Sequence, residues 1–373
     1  MRLLITGGGT GGHVYPALSV LEAWTPAPDL LWVGTKGGME AALVERAGIP
    51  YRGIPAGGLR DMGLVTRLRN SVKLTRGFGE AWTIVREFRP DVVFATGGYV
   101  TFPVGMAAWL QRIPVAIYLP DITPGLAVRS LAPLAKRIAV TTPGSARWFG
   151  PKAVVTGYPV RQTLAQPRSR ARARASFNIP ADAKVLLVTG GSSGSHNLNE
   201  AVGSHIAEYL SFAHVIHVHG KVDKEWLNQQ RAALPEETRE RYHLYEYLHE
   251  TMTDALMGAD LVVARAGASV LGEFTAAALP AILVPLPIVG VNQHANAQWL
   301  EDYGGAVTLA DEEAMTGLLP LARSILKDEA RLERMREAMR AAALPDAANR
   351  IAEMLQGLAP QRVLSHEADK SYE

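Results

Sequence analysis

Residues 2–13 read Arg-Leu-Leu-Ile-Thr-Gly-Gly-Gly-Thr-Gly-Gly-His, and this stretch decides the fold. Leu3, Leu4 and Ile5 form the short apolar run of a strand buried on both faces. Five glycines within residues 7–12 permit a sharp turn and bring bare N–H groups up to a ligand. From Val14 to Leu21 the pattern is helical, with Pro16 tolerated in the first turn. Strand, glycine turn and helix N-terminus together favour an anion such as phosphate. The glycines alone serve equally well as a tight turn opening any doubly wound sheet. His13 tips that balance, because it sets a titratable nitrogen beside the anion position.

Working outward, the strand–helix alternation continues. Leu30 to Gly34 is a second buried strand, a short helix ends at Gly48, and Tyr51 to Pro55 is a weaker strand. Asp91 to Thr96 is a strong strand running into a second glycine turn, Gly97-Gly98-Tyr99. Ligand crevices in open parallel sheets lie at the carboxyl ends of strands, so the turns at 7–12 and 97–98 are expected to face one cleft. Tyr99 offers a hydroxyl there, or packs as an ordinary aromatic. A helix is expected over 103–111 and a strand over 115–118. Asp121 follows as a ligand-facing carboxylate or a turn cap.

Residues 184–195, Lys-Val-Leu-Leu-Val-Thr-Gly-Gly-Ser-Ser-Gly-Ser, repeat the opening theme some 180 residues later. Such duplication predicts two similar α/β domains. Their expected bounds are 1–157, 158–360 with the last helix a candidate to pack back on the first domain, and a disordered tail at 361–373. In the second half, 281–285 is the last clear strand. A loop with Asn292, Gln293, His294 and Asn296 follows, and helices fill 312–357.

Composition bounds the function. The 373 residues are 48% hydrophobic and 20% charged, which suits a globular chain of about two domains. A net charge of +2 gives no global pull toward nucleic acid. The run Arg168, Arg170, Arg172, Arg174 therefore reads as a solvated helix face. With no cysteine, disulfides and thiolate metal sites are excluded, and a reducing compartment is expected. Neither a secretory leader nor a membrane-spanning helix is expected. The segment 59–85 stands apart. Up to residue 76 it sets Arg60, Arg67, Arg69, Lys73 and Arg76 against one acid, Asp61, and Leu64, Leu68 and Val72 recur at i, i+4. That pattern suits an anionic membrane surface, or a solvated face over a core stripe.

Gly-Gly-Thr-Gly-Gly-His-x-x-Pro-Ala-Leu at 8–18, Gly-Gly-Tyr-Val at 97–100, Gly-Gly-Ser at 190–192 with Asn199, and Arg-x-Gly-Ala at 265–268 with Glu273 resemble the MurG glycosyltransferases. The order and spacing match over almost the whole chain. The resemblance implies a GT-B fold, in which two Rossmann-like parallel-sheet domains face each other across a cleft. It implies inverting transfer of N-acetylglucosamine from its UDP donor to the 4-hydroxyl of the muramyl sugar of lipid I. The product, lipid II, is the peptidoglycan precursor. It also implies peripheral attachment to the cytoplasmic face of the cell membrane, which the basic segment at Leu64, Arg67, Leu68, Arg69, Val72, Lys73 and Arg76 would serve.

The resemblance implies roles residue by residue. Thr10, Gly11, Gly12, Gly97, Gly98 and Tyr99 would hold the acceptor diphosphate. His13 would touch the acceptor's hydroxyl or diphosphate. Ser192 would meet the donor phosphate, Arg161 would lie near the nucleotide with Arg265, and Leu248 would meet the uracil. Glu273 would accept from the ribose hydroxyls. Ala268, Asn292 and Gln293 would read the donor sugar. One departure stands out. Where the family has His-Glu-Gln-Asn, this chain has Tyr118-Leu119-Pro120-Asp121, so a carboxyl replaces the amide expected at the sugar.

The mechanism expected is a single displacement. His13 is the candidate base, since imidazole titrates near working pH, and Asp121 is the alternative. Backbone N–H groups near Ser192 or Gly267 would stabilise the leaving diphosphate. No Asp-x-Asp metal motif is visible, so no cofactor is expected and the UDP-sugar is a substrate. The competing readings are a transferase using another sugar or lipid, an epimerase of the same fold, and a silent membrane scaffold.

Overall fold

A computed structural model describes residues 1–9, 11–57, 64–166, 169–191, 193–287 and 293–360. The opening run is strand β1 (Arg2–Gly7), flanked in a parallel sheet by β2 (Asp29–Thr35) and β4 (Val92–Gly97). Its apolar residues are divided between two cores. Leu4 packs with Val33, Val93 and Val104 on one face, while Leu3 and Ile5 pack with Val14 and Ala17 on the other. A strand covered on both sides has no polar face, which is why its sequence does not alternate.

The first sheet is completed by β3 (Tyr51–Ile54), β5 (Val115–Leu119), β6 (Arg137–Val140) and β7 (Ala153–Val155), in the order β3-β2-β1-β4-β5-β6-β7. The second contains β8 (Val185–Thr189), β9 (His214–Val218), β10 (Tyr242–Tyr245), β11 (Leu261–Ala264), β12 (Ala281–Leu283) and β13 (Ala306–Thr308), in the order β10-β9-β8-β11-β12-β13. All pairings are parallel. The two orders match strand for strand apart from β7. Both reverse direction beside the strand that carries the glycine turn, and there the ligand crevice of such a sheet opens.

Helices α1 (Gly11–Glu22), α2 (Glu40–Arg46), α3 (Leu64–Phe88), α4 (Thr101–Leu110), α5 (Leu126–Leu131) and α6 (Pro143–Ala146) belong to the first half. Among the described residues no helix is long and apolar enough to cross a membrane. The final helix, Ala347–Gln356, returns to the first sheet. Its Ile351 and Leu355 are fully buried in the cluster that holds Leu3, Ile5, Val14 and Ala17. Burial of two such side chains stabilises this return by about 2 kcal/mol each.

Three expectations are corrected. β13 follows the strand at 281–285, its three residues being too short for a clear signal. Gln293 to Asn296 begin a helix, Gln293–Asp302, rather than lying in a loop. The arginine run is a solvated face only in part: Arg172 is exposed, but Arg174 is buried against Asp260 (2.7 Å) and Arg170 joins it (3.0 Å), while Arg168 lies outside the described residues. A buried carboxylate needs such partners.

Candidate active site

The two glycine turns of the first domain are locked together. Gly8 N–H donates to Gly97 O at 3.1 Å. Gly98 has φ 88°, and a Cβ there would sit 2.4 Å from Gly8 O. Gly9 N–H donates to Glu40 Oε2 at 3.2 Å, while Glu40 Oε1 accepts from Thr35 N–H at 2.7 Å. Glu40 is fully buried at the start of α2. The N–H groups of Gly8 and Gly9, expected to be bare, are therefore used internally. The donors left for an anion are those of the first turn of α1, beginning at Gly11 and Gly12. Thr10 lies outside the described residues. Glu40 escaped the sequence reading, since an acid after Gly37-Gly38-Met39 gives no sign of burial.

His13 stands in that first turn. Its Nδ1 is 2.8 Å from Gly8 O, an atom that can only accept, so Nδ1 carries the proton. In the neutral ring Nε2 is then the acceptor, held against the second turn. A Cβ at Gly97 would lie 2.7 Å from Nε2. Tyr99, just ahead of α4, is exposed rather than packed.

Asp121 follows β5 and faces the second domain. Asn296 Nδ2 donates to Asp121 Oδ1 at 2.9 Å and to Ala266 O at 3.0 Å, and Asn296 Oδ1 accepts from Ile122 N–H at 3.1 Å. This buried amide ties the two domains at the floor of the cleft. Burial raises the Asp121 carboxyl above the usual range, while the Asn296 hydrogen bond and nearby His13 pull it part of the way back. Tyr118 and Leu119, where the family has polar residues, are core. The Tyr118 hydroxyl is buried against Thr141 Oγ1 at 3.0 Å.

Across the cleft, Arg161, Leu248 and Glu273 converge. Arg161 Nη1 donates to His249 O at 2.9 Å, and its guanidinium lies 4.9 Å from the centre of the Tyr15 ring of α1. The Tyr15 hydroxyl is 3.3 Å from that of Tyr247. Leu248 is buried beside it. Glu273 sits on the helix Val270–Ala276. Burial raises its carboxyl, and Arg161 and Ser269 oppose that rise. Gln293 is committed to the scaffold, its Oε1 accepting from Ala266 N–H (3.2 Å) and Leu286 N–H (3.0 Å). Ala268 packs against the first domain's core. Ser192 and Asn292 lie outside the described residues.

Arg265 is placed beneath the turn at 190–195 instead of in the open cleft. It is buried, donating to Ser195 Oγ (2.9 Å) and Val284 O (3.1 Å) and pairing with Asp311. The same turn rests on the loop after β9, where a Cβ at Gly194 would sit 2.1 Å from His219 O. Asn199 secures that loop through His219 O (2.9 Å) and Asp223 (2.6 Å), and accepts from His217 Nε2 at 3.0 Å. Burial pushes His217 down to about 3, so its Nδ1 accepts from the Tyr242 hydroxyl at 2.9 Å.

Two parallel sheets with glycine turns facing one cleft define the GT-B fold. Glycosyltransferase family 28 supplies the matching profiles, its N-terminal domain over residues 3–140 and its C-terminal domain over 185–351. The chain is 38% identical to the UDP-N-acetylglucosamine–N-acetylmuramyl-(pentapeptide) pyrophosphoryl-undecaprenol N-acetylglucosamine transferase of Roseiflexus sp. (strain RS-1), across 97% of this chain and 96% of that protein. It is 37% identical to the transferase of the same name from Symbiobacterium thermophilum, with 99% of each covered. The crystal structure of Acinetobacter baumannii MurG superposes with a TM-score of 0.74 at 26% identity, covering 95% of this chain and 99% of that one. The chain belongs to the MurG family of glycosyltransferases. The UDP-N-acetylglucosamine 2-epimerase of Neisseria meningitidis, at 14% identity and a TM-score of 0.67 over 96% of this chain and 100% of that one, shares the fold alone.

Proposed function

We propose that this protein transfers N-acetylglucosamine from UDP-N-acetylglucosamine to the 4-hydroxyl of the muramyl sugar of lipid I, with inversion, to give lipid II. The observation that carries the mechanism is the His13 tautomer, with Nδ1 donating to Gly8 O and Nε2 left as the ring's acceptor. The acceptor's 4-oxygen attacks the anomeric carbon as the bond to the UDP oxygen breaks. Its proton passes to Nε2, and the negative charge leaves on UDP. The acceptor diphosphate lies at the N-terminus of α1. The donor lies in the second domain, with the uracil at Leu248, ribose hydroxyls on Glu273 and diphosphate at the turn after β8.

The test is transfer to a lipid I analogue, with His13→Ala beside the unsubstituted protein. The variant should lose turnover and keep UDP affinity; unchanged turnover removes the base. A different donor sugar is the second reading, favoured by the carboxyl of Asp121. A panel of UDP-sugars with product mass measurement separates the two.

The membrane reading gains a wider surface. Leu64, Arg67, Leu68, Arg69 and Val72 fall on α3, with side chains outside the described ones; Lys73 and Arg76 follow. Trp82 on α3 and Trp109 and Leu110 on α4 are exposed, and Gln111 Nε2 donates to Trp82 O at 3.1 Å across the two helices. Exposed indoles beside cations suit a lipid interface. These exposed residues support our reading of peripheral attachment to the cytoplasmic membrane face. Failure to bind anionic vesicles at low salt would remove it.

A further inference from the structure

Between Val92 and Ala181 the chain carries a single acidic residue, Asp121. The segments following β5 and β6 therefore set Arg129, Arg147 and Lys152 against that one carboxyl in sequence. Trp148, just beyond α6, is 41% exposed and sits under two of them. The Arg129 guanidinium lies 5.0 Å from the centre of its ring and that of Arg147 lies 5.4 Å from it. Among the described residues neither guanidinium has a carboxylate partner.

This stack hangs from the loop that holds Asp121. Arg129 Nε donates to Pro124 O at 3.0 Å, Ser145 Oγ donates to Asp121 O at 3.4 Å, and Trp148 N–H donates to Ser145 O at 3.3 Å. An exposed cation–π contact contributes about 0.5–1 kcal/mol, and two like charges over one ring oppose part of that gain. A carboxylate accepting from these donors would offset the local positive charge and match the planar guanidinium fork. The acceptor in the relatives' name carries a pentapeptide, which ends in a carboxylate. Five extended residues reach roughly 17 Å, enough to run from the Asp121 loop past Arg129.

We propose that Arg129, Trp148 and Arg147 form a carboxylate-binding site for the peptide arm of the acceptor. The proposal rests on the transfer reaction above. The hydrogen-bonded tie to the Asp121 loop favours the acceptor over a lipid surface, which the exposed residues of α3 and α4 already suit.

Three acceptors of one lipid and diphosphate test it, bearing the pentapeptide, its C-terminal amide, or no peptide, all in detergent. Arg129→Gln/Arg147→Gln should raise KM for the pentapeptide acceptor roughly tenfold at unchanged kcat. KM for the peptide-free acceptor should not move, and the unsubstituted protein should show a similar gap between the peptide and its amide. Arg129→Lys/Arg147→Lys, which keeps charge without the planar fork, should recover part of the loss. An unchanged KM for the pentapeptide acceptor overturns the site. An equal rise with all three acceptors assigns the arginines to the diphosphate, and lost vesicle binding at unchanged KM assigns them to lipid; either overturns it. If the unsubstituted protein glycosylates none of the three, the transfer reading itself falls. Trp148→Phe, which keeps an aromatic platform, separates a folding defect from a lost site.

Discussion

The two glycine turns, at 7–12 and at 190–195, are alike in sequence and opposite in what stands behind them. The first is backed by a buried anion, Glu40, whose carboxylate takes the N–H groups of Gly9 and Thr35. The second is backed by a buried cation, Arg265, held by Asp311. One motif thus yields two sites. Glu40 takes the Gly9 N–H and Gly97 O takes that of Gly8, so the donors remaining in the first turn are those at the start of α1, beside the His13 imidazole. Arg265 braces its turn from below through Ser195. A glycine turn alone therefore does not say which substrate it serves.

The contrast can be broken from either side. His13→Ala should lower kcat by about a thousandfold, within the range for a general base, with UDP affinity unchanged by calorimetry. Arg265→Met leaves the nearly buried Asp311 with the Asn197 amide (2.7 Å) but no cation, and should cost about 3 kcal/mol in denaturant unfolding, with weaker UDP binding. The effect on the acceptor KM should be small; an equal loss for both substrates would deny the division of the cleft. Glu40→Gln keeps the shape but turns one accepting oxygen into a donor facing Gly9 N–H. It should cost about 1–3 kcal/mol of stability and raise the acceptor KM while sparing UDP affinity.

The smallest effect is one of pH. His217 is held neutral down to about 3, whereas an unfolded histidine titrates near 6.5. Between those values the unfolded chain binds more protons, so stability present above pH 6.5 is lost as the pH falls. The loss should reach about 2 kcal/mol by pH 5. His217→Gln should flatten this part of the pH–stability curve, with transfer at neutral pH as the control; an unaltered slope would exclude His217 as its source.

Much of the fold was legible because β1 and β8 are short apolar runs bounded by glycines, and that pattern has few uses. The site was legible where a residue's chemistry is rare in its surroundings, as with His13 beside glycines. It was not legible where a polar residue is ordinary in type but buried by a distant element. Glu40 reads as a helix acid and Asn296 as a loop amide. Arg174 reads as one of a solvated run, yet it meets Asp260 across 86 positions of chain. Asp121 stood out by its departure from the family, but its amide partner is 175 residues away.

Two duplicated α/β halves, the family and the imidazole at position 13 are all legible in residue order. Each rests on local pattern, set by strand burial, glycine freedom and residue order. Which N–H groups remain as donors, which tautomer His13 adopts, and which charged groups are scaffold emerge only when the chain is folded. Those depend on hydrogen-bond partners brought from other elements, and a buried polar atom takes its role from whatever satisfies it.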